Sequence, residues 1–138
     1  MYVNVIRYSF SEFKPQYQSY HLKQVEYHLN NFNLLDYPEH LQYEVCKKHN
    51  QKVKLFLEHY DDFQYGIWCF INGYKNNQSL NHLNRRVPCW IAELPNDTEG
   101  YDCNWDKLIT LEDSIVTYAG IYIPERELYK LKHIKKVK

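Results

Sequence analysis

The feature that most constrains how this chain can fold is its large number of aromatic rings. The 138 residues include 14 Tyr, 6 Phe and 3 Trp, but only 4 Gly. Aromatic side chains bury a large area and also stack on flat ligands, so they serve either a core or a binding surface. The apolar fraction of 44% and the charged fraction of 25% are typical of a globular protein. At this length we expect one globular domain spanning residues 1–138.

Hydrophobic spacing predicts one strand followed by two helices. Residues 2–8 alternate in polarity, as a half-buried strand does. Apolar residues then recur every three to four positions from Leu22 to Phe32, which predicts a first helix. Asp36 and Glu39 have the spacing of a capping box, so a second helix is predicted to begin there and to continue to about residue 60. The short link between the two helices predicts a helical hairpin.

The hydrophobic period changes from helical to strand-like after the second helix. Residues 63–71 and 86–93 read as strands, and a final strand is predicted over residues 114–123. Pro124 and Glu125 then indicate the start of a short last helix. The predicted order is β-α-α-β-β-β-α. This order predicts an α+β fold, in which an antiparallel sheet of about four strands packs on the helical hairpin.

Several rings lie within the predicted strands and allow two interpretations. If helices covered one face of the sheet only, some rings would be exposed and could stack the bases of single-stranded nucleic acid. If both faces were covered, the rings would belong to the core. We favour the core, because large exposed apolar patches are uncommon on monomers. The rings concerned are Trp68, Phe70, Trp90, Tyr118 and Tyr122.

The long loop over residues 74–86 is the best candidate for a contact surface. Long loops in compact domains are often functional, although a solvated hairpin tip would look the same in sequence. The loop ends in two adjacent arginines, which can bind phosphates or carboxylates through paired hydrogen bonds. The predicted binding residues are Tyr74, Lys75, His82, Arg85, Arg86 and, on the next strand, Trp90.

The end of the second helix carries acidic residues where they oppose the helix dipole. Glu58, Asp61 and Asp62 would share one helix face, with His59 beside them, and could hold a divalent cation. We favour the alternative that the helix ends at Glu58 and that the two aspartates are turn residues.

Histidines form a second weak grouping. His49 lies in the apolar stripe of the second helix, where a histidine is usually a hydrogen-bonded core residue. In a helical hairpin it could approach His21 or His28 on the first helix.

No motif indicates a cofactor. The chain contains no Walker loop, GxGxxG, GxSxG or HExxH sequence. The four cysteines include no CxxC pair, so we expect reduced structural thiols rather than a zinc site. These observations favour a binding protein over an enzyme.

One segment suggests the enzymatic alternative. The run Leu111–Asp113, followed by the predicted strand, resembles the ending of small ADP-ribosyltransferase-like domains, although the Ser-Thr-Ser signature of that family is absent. The resemblance implies Glu112 as a catalytic carboxylate and Arg7 as a contact for a nicotinamide dinucleotide. A small nucleotide- or NAD-using enzyme is therefore an alternative function.

The composition favours a small cytoplasmic binding or modulator protein. No leader or membrane-spanning run is visible, so we expect no membrane partner. The zero net charge argues against binding duplex nucleic acid mainly through charge. Many Lys, Asn, Tyr and Ile with few Gly are typical of A+T-rich coding sequence, and small proteins with this bias and no catalytic motif often belong to phages or mobile elements. We therefore expect docking on a host macromolecule, foremost a protein, through an aromatic and arginine-bearing surface, with single-stranded nucleic acid as the other candidate partner.

Overall fold

The computed structural model describes residues 1–71, 87–102, 107–117 and 120–137. These parts of the chain form eight strands and three α-helices. The strands are β1 (Tyr2–Tyr8), β2 (Gln16–Tyr17), β3 (Tyr65–Ile71), β4 (Cys89–Pro95), β5 (Glu99–Tyr101), β6 (Leu108–Thr110), β7 (Gly120–Pro124) and β8 (Lys132–Lys136). The helices are α1 (Ser19–Asn30), α2 (Gln42–Glu58) and α3 (Leu111–Thr117). No helix within the described ranges is both long and apolar enough to cross a bilayer.

The strands form one antiparallel sheet in the order β6-β5-β7-β3-β1-β4-β8, and β2 pairs with the start of β3. The longest pairing joins β1 to β4, from Tyr2 opposite Pro95 to Tyr8 opposite Cys89. β3 lies between β1 and β7 and is paired with both. The first strand of the chain therefore lies near the middle of the sheet, and β6 and β8 lie at its two ends.

Strand alternation produces a separate hydrophobic core on each face of the sheet. On β3, Ile67 and Cys69 belong to the first core, which Leu128 helps to cover. Trp68 points to the opposite face and packs against the second core, whose buried members include Tyr122. Because this second core also takes Leu22 from α1 and Phe56 from α2, it is where the helices rest on the sheet.

The rings in the strands do not form one exposed platform in the described residues. Tyr122 is fully buried, as the core interpretation predicts, whereas Trp68, Phe70 and Trp90 are half-buried. Trp90 packs against the first core and Trp68 against the second, so these two rings lie on opposite faces. Tyr118 lies outside the described residues.

The prediction of an α+β fold with an antiparallel sheet is confirmed, but the predicted sheet of about four strands was too small. β2, β5 and β6 are two or three residues long, too short to show a period. β8 has the sequence KHIKK and is exposed throughout, so it lacks the apolar alternation by which strands are recognised. The predicted element order therefore lacked β2, β5, β6 and β8, and it also lacked α3.

Two predicted boundaries were wrong. Residues 111–117 form α3, and the strand that was expected from residue 114 begins only at Gly120. The proposed capping box does not start α2, because residues 34–36 and 39–41 each form a short 3-10 turn and the helix begins at Gln42. At the first of these turns the Asn33 side chain accepts a hydrogen bond from the Leu35 amide.

Replacement of two glycines in neighbouring strands by alanine should change the stability of the protein to different extents. A Cβ placed on Gly66 would lie 2.5 Å from the Ile123 carbonyl oxygen and against the Tyr122 ring, whereas on Gly120 it would meet nothing closer than 3.7 Å. We expect Gly66→Ala to lower the free energy of unfolding by about 1–3 kcal/mol, since backbone must move. Gly120→Ala should change it by about 0.5 kcal/mol or less. Urea unfolding of both variants compares them, and equal stabilities would contradict the described packing.

Thiol labelling tests the first core. Burial raises the pKa of the Cys69 thiol to about 12, so this group stays protonated and enclosed at pH 8. Cys46 is only half-buried on α2. We expect iodoacetamide at pH 8 to modify Cys46 and to spare Cys69 until denaturant is added, as read by site-resolved mass spectrometry. Equal labelling of both cysteines in the native protein would contradict the burial of Cys69.

Candidate functional site

Asp62 fixes the end of the helical hairpin to the sheet. It lies in the 3-10 turn Tyr60–Phe63 that follows α2. Its carboxylate accepts a hydrogen bond from the Tyr101 hydroxyl at 2.5 Å and from Arg126 Nε at 2.9 Å. Its backbone carbonyl accepts from the Tyr122 hydroxyl at 3.0 Å. One residue therefore joins the hairpin to β5, to β7 and to the turn after β7.

We call Asp62, Tyr101, Tyr122 and Arg126 the anchor. Arg126 is its cationic member. Besides Asp62, its Nη1 donates to Glu99 and to Glu127, each at 3.1 Å. Lys130 pairs with Glu127 at 2.5 Å. Burial alone would lower the pKa of the Arg126 guanidinium, but its bonds to Asp62 and Glu99 outweigh that effect and hold the pKa above its usual value.

The two tyrosines of the anchor act as hydrogen-bond donors. Burial, followed by the negative charge of Asp62, raises the pKa of Tyr101 and that of Tyr122 above the usual tyrosine value. Both hydroxyls therefore keep their protons at neutral pH, and both donate to Asp62. Asp62, Tyr101 and Tyr122 are largely withdrawn from water, where such bonds are stronger, whereas the Arg126 side chain is 41% exposed.

The four residues considered for a metal site line one cleft of about 450 Å³, together with Glu99 and Arg126. They are Glu58, His59, Asp61 and Asp62. Asp62 is engaged by Arg126, and His59 Nδ1 lies 3.8 Å from its carboxylate, too far for a hydrogen bond. Glu58 lies 3.9 Å from Lys54 on the exposed side of α2. Among the described residues, no three His, Cys, Asp or Glu side chains are grouped so that they could hold a metal.

Arg7, the candidate dinucleotide contact, has a structural role. It is 8% exposed, and its guanidinium donates to the Glu12 carbonyl and the Trp68 carbonyl, each at 2.8 Å, and to the Gln16 side chain at 3.2 Å. Burial lowers the pKa of this guanidinium from its usual value. These bonds tie the segment after β1 to β3.

The structure does not bring Glu112 and Arg7 together. The Glu112 amide donates to the Asn96 carbonyl, and the Asn96 amide donates to the Met1 carbonyl. Glu112 therefore lies beside the start of β1, whereas Arg7 lies near its end, about 20 Å away at the usual rise per strand residue. The two candidate catalytic residues therefore lie beside opposite ends of β1.

The structure describes one of the six predicted contact residues. Tyr74, Lys75, His82, Arg85 and Arg86 lie outside the described residues. Trp90, the remaining member, is half-buried. Its indole N–H donates to the Ser9 carbonyl at 2.9 Å.

The helical hairpin leaves many large apolar side chains uncovered. From Lys23 to Leu55, no residue is buried. The sequence stripe of α2 predicted a core face, but only Phe56 of α2 is buried. Large apolar side chains that lie well exposed on or next to the hairpin are Tyr27 (63%), Leu35 (82%), Tyr37 (41%), Leu41 (43%), Tyr43 (76%), Leu57 (70%) and Tyr60 (39%).

A groove of about 660 Å³ runs between α1 and α2. On the α2 side it is lined by Val45, Lys48, His49 and Lys52, which share one helix face. Phe32 stacks on the His49 ring with centroids 3.9 Å apart and planes 10° apart. His49 therefore lies in an open groove rather than in a core.

Two of the three histidines that were predicted to approach one another line this groove. His28 lines the same groove as His49. The side chain of His21 lies outside the description.

The exposed apolar surface of the hairpin has one signal in the sequence. Apolar residues such as Tyr27, Tyr43 and Leu57 lie outside the apolar stripes of the two helices.

Comparison with protein-family models, with curated proteins and with solved structures finds no match for this chain.

The anchor should contribute more to the free energy of unfolding than an ordinary surface ion pair does. Asp62→Asn removes the carboxylate that faces Arg126, and we expect a loss of about 2–4 kcal/mol in the free energy of unfolding, because the Asp62 side chain is only 11% exposed. Lys54→Ala breaks a pair whose side chains are 76% and 55% exposed, and it should cost about 0.5 kcal/mol or less. Urea unfolding measures both, and a neutral Asp62→Asn would contradict the anchor.

Proposed function

We propose that this protein is a small binding protein that docks on a partner protein through its helical hairpin. The observation that carries the proposal is the absence of any buried residue between Lys23 and Leu55, a segment that is rich in apolar side chains. A helix in a globular protein normally buries its apolar face against the rest of the fold. A hairpin that leaves this area in water is suited to bury it against a partner.

The chemistry of the hairpin surface supports a protein partner. Tyrosine is among the residues that concentrate binding energy at protein interfaces, and Tyr27, Tyr37 and Tyr43 are all exposed here. We call Tyr27, Leu35, Tyr37, Leu41 and Tyr43 the tip surface. These residues lie on α1, on the link between the helices and on the first turn of α2.

The anchor supports the same proposal. Asp62 and Arg126 hold the base of the hairpin on the sheet, while the segment beyond adds only partly buried side chains to the second core, namely Val25, Leu29 and Leu55. A surface held at its base in this way is partly pre-organised, which lowers the entropy lost on binding.

The alternatives from the sequence stay predictions. A nucleotide- or NAD-using enzyme would need Arg7 and Glu112 at one site, and single-stranded nucleic-acid binding would need the strand rings on one open face. The described residues offer neither arrangement. A phage or mobile-element origin and a host target are likewise predictions from composition.

Paired variants test the proposal. Leu35→Asp with Tyr43→Asp places charges on the tip surface, at side chains that are 82% and 76% exposed. Phe10→Asp with Tyr129→Asp is the matched control, at side chains that are 77% and 81% exposed but lie outside the hairpin. Both double variants should keep the stability of the parent to within about 1 kcal/mol, because exposed positions tolerate substitution.

The readout is capture of a partner from cells that make the protein, followed by calorimetry with the purified partner. The tip variant should weaken the affinity about 30-fold or more, as loss of central apolar contacts does. The control should bind as the parent does. Unchanged binding by the tip variant, or an equal loss in the control, would overturn the proposal.

A further inference from the structure

The groove between α1 and α2 has a shape suited to a single chain segment. Residues of both helices line it, and residues 31–33, 36 and 37 of the link between them complete the lining. Its volume of about 660 Å³ is larger than that of the cleft beside Asp62. Grooves between two helices commonly accept an amphipathic helix or a short peptide that buries one apolar side.

The groove offers such a segment a flat apolar contact. Phe32 and His49 are half-buried and stacked almost parallel, so each ring supports the position of the other. Leu29 and Val45 line the groove with them. An aliphatic or aromatic side chain from a partner would cover these groups and lose little entropy in the protein itself.

The charges of the groove favour an anionic occupant. Lys48 and Lys52 line it on successive turns of α2, and Asp36 is the one carboxylate among its lining residues. These ammonium groups would repel a positively charged segment in the groove, whereas they would attract carboxylates and fix the register in which the segment binds. The opposite side of α2 carries Lys47 and Lys54, which line a separate depression and not the groove.

We infer that the groove binds an acidic, amphipathic segment of the partner protein, with an apolar side chain on the Phe32–His49 pair and carboxylates at Lys48 and Lys52. This inference rests on the proposed function and adds the chemistry of the partner to it. It also assigns different roles to two adjoining parts of the hairpin, which share Tyr27 and Tyr37. The tip surface supplies apolar area, and the groove supplies selectivity by charge.

Selection from a displayed library of random peptides on the immobilised full chain tests the inference. We expect the selected peptides to be enriched in Asp and Glu next to a large apolar residue. A synthetic copy of the best peptide should bind about tenfold more weakly to the double variant Lys48→Glu with Lys52→Glu, since two favourable charge contacts become repulsive. Its affinity should also fall as salt is raised.

The matched control is Lys47→Glu with Lys54→Glu, which changes the net charge equally on the other side of α2. It should change the affinity by no more than about twofold. Circular dichroism checks that both double variants stay folded. Selection of neutral or basic peptides, selection of none, equal losses in both variants, or competition by an oligonucleotide as strong as by the free peptide would each overturn the inference.

The two proposals fail separately. If the native partner is lost from the tip variant but held equally by both lysine variants, binding through the hairpin stands and the acidic segment does not. If neither the tip variant nor the lysine variants affect capture, both proposals fail.

Discussion

The position of the helical hairpin depends on one carboxylate. Asp62 lies at the end of α2 and binds Arg126, Tyr101 and, through its carbonyl, Tyr122. The guanidinium that neutralises it is itself shared with Glu99 and Glu127, so each charge in the cluster has an opposite neighbour. A buried carboxylate is stable only with such compensation. The anchor therefore fixes where the hairpin leaves the sheet, and Leu22 and Phe56 are the apolar contacts that reinforce it.

The protein divides its apolar residues between two tasks. The strands supply most of the buried residues, and the first core is built almost entirely on the sheet. The hairpin also carries many large apolar side chains, but among those described only Leu22 and Phe56 are buried. This division explains why an ordinary apolar fraction goes with an extensive uncovered surface on one pair of helices. The aromatic abundance of the chain accordingly serves the core at Tyr101 and Tyr122 and the surface at Tyr27 and Tyr43.

The sequence was sufficient for the parts of the fold that depend on local period. The strand at residues 2–8, both long helices and the strand ending at Ile71 could be read from spacing. The short strands and β8 could not, because their pairing is decided by distant partners rather than by their own pattern. The anchor was missed for a similar reason. Asp62 was noted as an acid in an unfavourable place, but Arg126, which compensates it, lies 64 positions away in the chain. The hairpin was predicted, yet apolar spacing alone does not reveal whether anything covers the apolar face.

The two edge strands of the sheet, β6 and β8, have different features that disfavour pairing with strands of other molecules. β6 is three residues long and passes directly into α3, so it offers little backbone to a neighbouring strand. β8 is longer and exposed, but three of its five residues are lysines. Such short or densely cationic borders discourage strands of separate molecules from joining into extended ribbons. A protein with these edge strands can expose apolar side chains on its helices and still, we expect, not polymerise through its sheet.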